Sequence, residues 1–343
     1  MLYYYALLYY NINLKQIKTM KKIHLISTLI GLLAFSTISK ADLKVVTSIK
    51  PIHSLASYIM DGVGSPGLIV DGYNSPHSFQ LKPSHAKMLE QADIIFWIGE
   101  DLENFLEKPL ATIAKKAEKI ELLEIKGIKK LKFRERNIFE EHEGHDDHGD
   151  DAKKEEHDDH GHDAKKEEHD DHDDHGHGEY DPHIWLDPIN VKVILNEITE
   201  HLIENDSKNA ATYKSNLAKA ISEIDKLIID VITETNTDLS YVVFHDAYQY
   251  YENRFNVNIL GAMTVNPDVM PGAEQIHEIH EVIEHDNVSC ILSEPQFNPD
   301  IIKSIAKDTS VKTGVLDPLG ANLKPGKNLY FDLIRNMSAS FNC

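Results

Sequence analysis

The chain has 343 residues and a formal net charge of −21 at pH 7. This charge is concentrated, because residues 140–179 hold 19 acidic residues and four lysines, a local charge of −15. The rest of the sequence is close to balanced and gives no sign of the basic face that nucleic-acid binding needs. The two cysteines are isolated from each other, which argues against a cysteine-based metal site.

The N-terminal region has the pattern of an export signal. Residues 20–41 read MKKIHLISTLIGLLAFSTISKA, with a lysine pair before an apolar stretch and small residues that end at Ala41. The apolar stretch is shorter than the roughly 20 residues that span a bilayer, so a permanent anchor is the weaker interpretation. We expect a cleaved signal peptide that begins at Met20, with residues 1–19 as an upstream extension. The mature protein is then periplasmic.

The first half of the mature chain alternates short apolar strands with helices. Strands are predicted at 43–49, 67–70 and 93–98, one helix runs from a Ser84 cap to Gln91, and another starts near Glu103. Strand and helix alternation of this kind predicts a parallel sheet covered by helices. Residues 42–204 are assigned to an N-terminal α/β domain.

An acidic, histidine-rich segment at residues 140–179 interrupts this domain. It contains the repeat DAKKEEHDDH twice and no apolar residue larger than Ala up to Gly178. Such a composition cannot bury a core and predicts disorder. Its imidazoles and carboxylates are expected to bind Zn²⁺, Ni²⁺ or Cu²⁺ weakly, and a solubilising insert without a metal role is the alternative. The candidate low-affinity ligands are His142, His145, His148, His157, His160, His162, His169, His172, His175 and His177.

The second half resumes the same alternation after one long helical segment. Residues 207–235 lack Gly and Pro and repeat apolar residues at spacings of three and four, which predicts an amphipathic helix. Residues 205–236 are therefore assigned to a rigid linking helix, and residues 237–343 to a C-terminal α/β domain. In that domain strands are predicted at 241–244, 257–260, 288–292 and 311–316, and helices at 273–285 and 299–307. The predicted fold is two α/β domains with parallel sheets joined by one long rigid helix.

Four residues are candidate metal ligands. His245 and Asp317 directly follow predicted strands, where parallel sheets place their ligand sites. His77 lies in the loop Asn-Ser-Pro-His-Ser, and His183 follows the acidic segment. Three imidazoles and a carboxylate are donors that Zn²⁺ accepts in tetrahedral geometry. Because each half of the chain supplies two of them, they are expected to meet in an interdomain cleft, although each histidine alone is equally compatible with a structural role.

The two cysteines, Cys290 and Cys343, both lie in the exported part of the chain. An even number of cysteines in an oxidising compartment favours a disulfide bond. This bond would tie the last residue to the predicted strand at 288–292. A buried free thiol together with a frayed terminal thiol is the alternative.

Seven motifs, in order along residues 43–343, resemble the metal-binding proteins of cluster A-I ABC importers, and most closely their zinc-uptake (ZnuA-type) branch. The motifs are VVTSIKP (45–51), PHSFQLKPS (76–84), ADIIFWIG (92–99), DPHIWLDP (181–188), FHDAY (244–248), SEPQF (293–297) and LDPLG (316–320). The resemblance implies two α/β domains bridged by a long helix, with metal held between them by His77, His183 and His245. A histidine at 245, where manganese-binding relatives have a carboxylate, favours zinc. The acidic histidine-rich loop and a disulfide near the C-terminus are also typical of this branch.

The fourth ligand is where the chain departs from the family pattern. Pro76 precedes the first histidine, where some zinc-branch members have a glutamate that helps to fill the fourth position. Asp317 is the predicted fourth ligand, with a water molecule as the alternative. His53, at the first strand-to-helix turn, is a candidate auxiliary group. Glu294 and Asp246 are interpreted as polar groups behind the ligands.

The function implied by the resemblance is capture without chemical turnover. The protein is expected to be no enzyme, to bind Zn²⁺ with high affinity in the periplasm, and to deliver it to the membrane permease of an ABC importer. Auxiliary periplasmic zinc carriers are further candidate partners, and we expect a monomer. One alternative is a manganese or iron carrier of the same importer family. The other is a zinc-dependent hydrolase with Glu294 as general base, although the His-Glu-x-x-His helix of many such enzymes is absent.

Overall fold

Two four-stranded sheets, both parallel, form the framework of the protein. The computed structural model describes residues 42–134, 136–139, 178–267, 269–307 and 309–343. The strands are β1 (Val45–Thr47), β2 (Gly67–Leu68), β3 (Ile94–Trp97), β4 (Glu118–Glu121), β5 (Ser240–His245), β6 (Asn258–Thr264), β7 (Cys290–Ser293) and β8 (Lys312–Val315). The predicted α/β class with parallel sheets is confirmed.

Helices flank both sheets. They are α1 (Lys50–Ile59), α2 (Pro83–Gln91), α3 (Glu100–Thr112), α4 (Pro188–Asn205), α5 (Ala210–Glu234), α6 (Gln249–Phe255), α7 (Ala273–His285), α8 (Asp300–Lys307) and α9 (Leu329–Ser340). Of the helices described, none is long and apolar enough to cross a membrane. The predicted upstream extension and signal peptide, and all ten histidines of the acidic segment, lie outside the described residues.

Both sheets have the same strand order, β2-β1-β3-β4 in the first and β6-β5-β7-β8 in the second. Central strands such as β3 and β5 are buried along their whole length, as expected for parallel strands covered on both faces. After β5 the chain forms β6 on one side of β5 and then β7 on its other side. A switch in strand order therefore lies between β5 and β7. Ligands of open parallel sheets bind outside the carboxyl ends of the strands at such a switch.

Some element boundaries differ from those expected from the sequence. The strand β4 was not predicted, because the sequence Glu-Lys-Ile-Glu offers one buried apolar residue and depends on its pairing with β3. Helix α2 begins two residues earlier than expected, with Lys82 rather than Ser84 at its N-cap and Pro83 in the first turn. Proline is favoured there because its missing N–H is not needed for the helix ladder.

The long helix α5 packs against α1, α4 and α9, which come from both halves of the chain. Its buried stripe includes Ile224, Leu227 and Val231, at the helical spacings seen in the sequence. The side-chain amide of Asn216 donates to the carbonyls of Ile59 and Asp61, both at 2.9 Å. The role of this helix as a rigid link, and the domain boundaries at 204, 236 and 237, remain predictions.

Both ends of the acidic segment are attached to the folded protein. On one side, Phe139 N donates to Leu260 O and Ala262 N donates to Asn137 O, each at 2.8 Å, along the edge strand β6. A side chain at Gly261 would place its Cβ 2.6 Å from Asn137 O, so this close approach requires glycine. On the other side, Lys132 and Tyr180 form an antiparallel bridge. The edge of β6 is thereby partly covered.

The predicted disulfide is present between Cys290 and Cys343, with Cα atoms 6.4 Å apart. It connects the first residue of β7 to the C-terminal residue, 53 positions along the chain. Beside it, the Phe341 ring packs 5.0 Å from Tyr241 and 5.3 Å from Tyr251, measured between centroids. The C-terminus is therefore fixed by both a covalent bond and a buried aromatic contact.

We predict that removing this bond lowers stability without unfolding the protein. Closing a loop of this length restricts the unfolded chain by about 2–5 kcal/mol, so Cys290→Ala/Cys343→Ala is expected to lose that much free energy of unfolding. Denaturant titration of both proteins measures the difference. Two titratable thiols in native protein purified from an oxidising compartment would contradict the account.

Candidate metal site

Three histidines from distant parts of the sequence lie together. Ligand nitrogens of His77, His183 and His245 are all within 4.8 Å of one another. The ring centroids form a triangle with sides of 5.6, 5.6 and 5.3 Å. His245 is the last residue of β5, His183 precedes a short 3₁₀ turn at Ile184–Leu186, and His77 lies in the loop between β2 and α2.

His183 is fixed by the aspartate two residues before it. The Nδ1 atom of His183 lies 2.7 Å from Asp181 Oδ1, which also accepts the His183 backbone N–H at 2.9 Å. The Asp181 carbonyl accepts a hydrogen bond from Tyr250, 2.8 Å away. On the other side of the turn, the indole of Trp185 donates to Pro318 O at 2.9 Å. The turn that carries His183 is therefore attached to the second half of the chain at both ends.

His245 has an equivalent partner in Glu294, the residue directly after β7. Its Nδ1 atom lies 2.6 Å from Glu294 Oε1, and both side chains are almost completely buried. The pair spans the switch in strand order between β5 and β7. The His245 ring is also flanked by Phe297, with centroids 5.8 Å apart.

These two carboxylates determine which ring nitrogen can bind a metal. An imidazole whose Nδ1–H donates to a carboxylate leaves its Nε2 lone pair available, and the hydrogen-bond network assigns this tautomer to both rings. The Nε2 atoms of His183 and His245 then face each other at 3.4 Å. Two lone pairs at this distance repel unless a proton or a cation lies between them. The geometry therefore suits a cation held by both Nε2 atoms, with His77 as the third member of the group.

The ionisation of the buried groups is coupled. Burial lowers the pKa of His183 well below its usual value, and the neighbouring His245 lowers it further. Burial also lowers the pKa of His245, but the carboxylates of Glu294, Asp246 and Asp181 together outweigh burial, so this pKa is raised. Burial raises the pKa of Asp181 to about 7. In the absence of a metal, a single proton shared by the two rings belongs mainly to His245.

His77 completes the group from a half-buried position. Its backbone N–H donates to Ser75 Oγ at 3.2 Å, which shapes the loop that presents the ring. The three histidines line a small pocket with Ser75, Glu294 and Gln296. The remaining walls are apolar, formed by Pro76, Trp185, Phe297, Pro318 and Leu319. Such walls limit access of water to the three rings.

Asp317 follows β8 as expected, but its carboxylate is not part of the histidine group. Its Oδ1 atom accepts the backbone N–H groups of Leu319 and Gly320 at 3.1 and 3.0 Å, and Oδ2 accepts that of Ala321 at 2.6 Å. Gln296 adds a fourth hydrogen bond at 2.9 Å. Because these donors occupy the oxygens, the carboxylate closes its own loop, and we leave Asp317 out of the proposed ligand set.

Asp246 lies behind the candidate ligand His245, and His53 lies away from the three histidines. Asp246, next to His245, is buried and pairs with Arg134 at 3.1 Å. Burial raises the pKa of Asp246 to about 6, against the opposing effect of Arg134. His53 lies on α1, where its Nδ1 atom is 3.5 Å from Ser57 Oγ, and it is not part of the histidine group.

Sequence reasoning missed Asp181 and Arg134. Asp181 had a local signal, because an aspartate two residues before a histidine can accept both its backbone N–H and its Nδ1–H. Arg134 had none. Its guanidinium contacts Asp246 and, at 2.6 Å, Glu252, both more than 100 positions away in sequence. It also stacks 3.9 Å over the nearby Phe139 ring. It connects the start of the acidic segment to the strand end that carries His245.

Comparisons by sequence and by structure found known proteins that are similar to this chain. Residues 45–342 match the family model described as zinc-uptake complex component A, periplasmic. The chain is 46% identical over 304 residues to a protein of Brucella abortus (strain 2308) named high-affinity zinc uptake system protein ZnuA, covering 86% of this chain and 90% of the relative. A solved structure titled as ZnuA is 20% identical and superimposes with a TM-score of 0.67, covering 88% of this chain and 100% of the other.

A second structural neighbour carries a different metal. A Mn-bound periplasmic metal-binding protein from Candidatus Liberibacter asiaticus is 19% identical, with a TM-score of 0.64 over 87% of this chain and 97% of that one. At this level of identity the neighbours show the fold only, so the fold is shared by proteins that bind different metals. The family model and the Brucella relative nevertheless cover most of the sequence. The chain belongs to the family of periplasmic component A proteins of zinc-uptake complexes, the ZnuA family.

Proposed function

We propose that this protein is the high-affinity zinc-binding subunit of an ABC importer, which captures Zn²⁺ in the periplasm and delivers it to the membrane permease. The observation that carries the proposal is the convergence of three histidine rings, two of them aimed through Nε2 by buried carboxylates. We propose His77, His183 and His245 as the ligands. A water molecule is the proposed fourth ligand.

The donor set supports zinc rather than manganese. Imidazole nitrogens suit zinc, whereas Mn²⁺ prefers carboxylate and water oxygens. The nearest carboxylates, those of Asp181 and Glu294, are bonded to Nδ1 atoms, on the side of each ring opposite Nε2. They offset the charge of the ion through the imidazoles without occupying coordination positions, as outer-shell carboxylates do in other zinc sites.

The contact between Glu294 and His245 argues against the alternative that the protein is a zinc-dependent hydrolase. A catalytic zinc needs a general base within reach of its bound water. Glu294, the candidate from the sequence, holds His245 Nδ1 at 2.6 Å and is therefore engaged with the ligand itself. We propose binding and release without chemical turnover. A cleaved export signal, a permease partner and a monomeric state belong to this proposal, and auxiliary zinc carriers remain candidate partners.

We predict that the three histidines hold one tight zinc ion independently of the acidic segment. A variant in which residues 141–178 are replaced by a short Gly-Ser linker is expected to keep this site. In that background, each of His77→Ala, His183→Ala and His245→Ala should weaken zinc by more than the roughly 10–100-fold that loss of an outer-shell partner costs. Asp317→Ala should cost less, because its carboxylate caps a loop.

Calorimetric zinc titration measures these affinities. His277→Ala is the matched control, since His277 is an exposed histidine on α7 and should leave the affinity unchanged. If replacing the segment abolished tight binding while His245→Ala preserved it, the site would be assigned to the wrong part of the chain.

We also predict that Glu294→Gln shifts the pH dependence of zinc binding. Zinc must displace the proton of His245, so affinity falls as pH decreases through the raised pKa of this residue. Glutamine removes the negative charge but keeps an acceptor for Nδ1–H. The acid limb, the pH range over which zinc affinity falls on acidification, should therefore move to lower pH. Zinc affinity at alkaline pH should drop about tenfold, the lower end of outer-shell effects.

Zinc affinity measured across a pH series tests this shift. Glu252→Gln is the control, because Glu252 is a partly buried carboxylate that contacts Arg134 rather than a histidine. An acid limb that stays in place, or moves to higher pH, in Glu294→Gln would show that Glu294 does not set the ionisation of His245.

A further inference from the structure

A second group of potential metal ligands lies at the edge of the first sheet and shares no residue with the three-histidine group. Ligand atoms of Glu118, His201 and Glu204 are all within 4.8 Å of one another. Glu118 is the first residue of the edge strand β4, and the other two are one helical turn apart on α4. The group therefore joins a strand edge to the helix beside it.

The His201 ring has a carboxylate at each nitrogen. Its Nε2 atom is hydrogen-bonded to Glu197 Oε1 at 3.1 Å, one helical turn earlier. Its Nδ1 atom is buried and lies 2.9 Å from Glu118 Oε1, but the two atoms are not aligned as a hydrogen bond, and no other described group bonds to this nitrogen. A neutral imidazole with its proton on Nε2 presents a lone pair at Nδ1. Lone pairs of nitrogen and of a carboxylate oxygen then face each other, an arrangement that a cation stabilises.

The surrounding contacts hold these groups in place. The other oxygen of Glu118 accepts a hydrogen bond from Asn205 Nδ2 at 2.9 Å. The edge of the His201 ring packs against the buried Phe96, with centroids 6.3 Å apart. In the described part of the chain, no lysine or arginine forms a salt bridge with Glu118, Glu197 or Glu204. The negative charge at this position is therefore not neutralised by a fixed cation.

We propose that Glu118, His201 and Glu204 form a second site for a divalent cation of the zinc class, bound through His201 Nδ1 and one oxygen of each carboxylate. One imidazole and two carboxylates are donors that Zn²⁺ accepts. The Nε2–H hydrogen bond to Glu197 is the kind of outer-shell contact that orients a ligating histidine. The site is half open to solvent and has one nitrogen ligand, so it binds zinc more weakly than the three-histidine group. Binding there fastens the edge strand β4 to α4.

Equilibrium dialysis of the full-length protein against zinc buffers tests this site. The work is done at about pH 8, where ordinary imidazoles are neutral, and bound zinc is counted by mass spectrometry. At saturating zinc, Glu118→Gln/His201→Gln should bind one zinc ion fewer per chain than the unmodified protein. The matched control is His277→Gln/Glu281→Gln on α7, an exposed histidine–glutamate pair 3.6 Å apart that lacks a strand carboxylate. This control should bind as much zinc as the unmodified protein.

A second variant distinguishes loss of a metal ligand from a folding defect in the double variant. Glu204 is exposed and forms no salt bridge with any residue that the structure describes. Glu204→Gln should therefore fold normally and need a higher free zinc concentration to fill the same site. An equal zinc count in the unmodified protein and in Glu118→Gln/His201→Gln would overturn the proposal, and so would a zinc-binding curve that Glu204→Gln leaves unshifted. His245→Ala, tested in parallel, reports loss of the three-histidine site separately. Failure of the proposed function is therefore distinguishable from failure of this second site.

Discussion

The proposed metal site depends on two short contacts between a buried carboxylate and an imidazole Nδ1 atom. Asp181 and Glu294 each hold one histidine, at 2.7 and 2.6 Å, and so direct two Nε2 lone pairs at a common point. Burying two carboxylates is costly unless their charges are compensated. A cation on the far side of the rings supplies that compensation. In the proposed site the same contacts therefore favour a bound cation, which replaces the proton that His245 holds in the absence of metal.

The fold brings these contacts together by simple topology. His245 ends β5 and Glu294 follows β7, so their pairing needs only two neighbouring parallel strands at a switch in strand order. His183 is harder to place, because it lies on a turn after the acidic segment rather than at a strand end. Its position depends on Trp185 and Tyr250, which bond this turn to the second half of the chain. Arg134, before the segment, reaches Asp246. The residues that flank the segment on both sides thus contact the surroundings of His245.

Much of this could be predicted from periodicity, strand-end positions and family resemblance. The parallel sheets followed from apolar runs, and the disulfide followed from two cysteines in an exported chain. The features that the sequence does not reveal are set by tertiary contacts or local capping. The strand β4 has one buried apolar residue and exists through its pairing with β3. His245 ends a strand and Asp317 follows one, so the two residues look alike in the sequence. Gly320, with φ of 69°, allows the loop to turn so that its backbone N–H groups bond to the carboxylate of Asp317. A sequence reading that weighed this loop-capping pattern would have separated the two residues.

The most direct test is a crystal structure of the zinc-loaded protein with anomalous diffraction recorded at the zinc edge. The account predicts one strong peak at about 2.0–2.1 Å from Nε2 of His183, Nε2 of His245 and a ring nitrogen of His77. Asp317 should still accept the N–H of Ala321 in that structure. A peak bound through Nδ1 of either buried histidine, or one that has drawn Asp317 out of its loop into the coordination shell, would contradict the account.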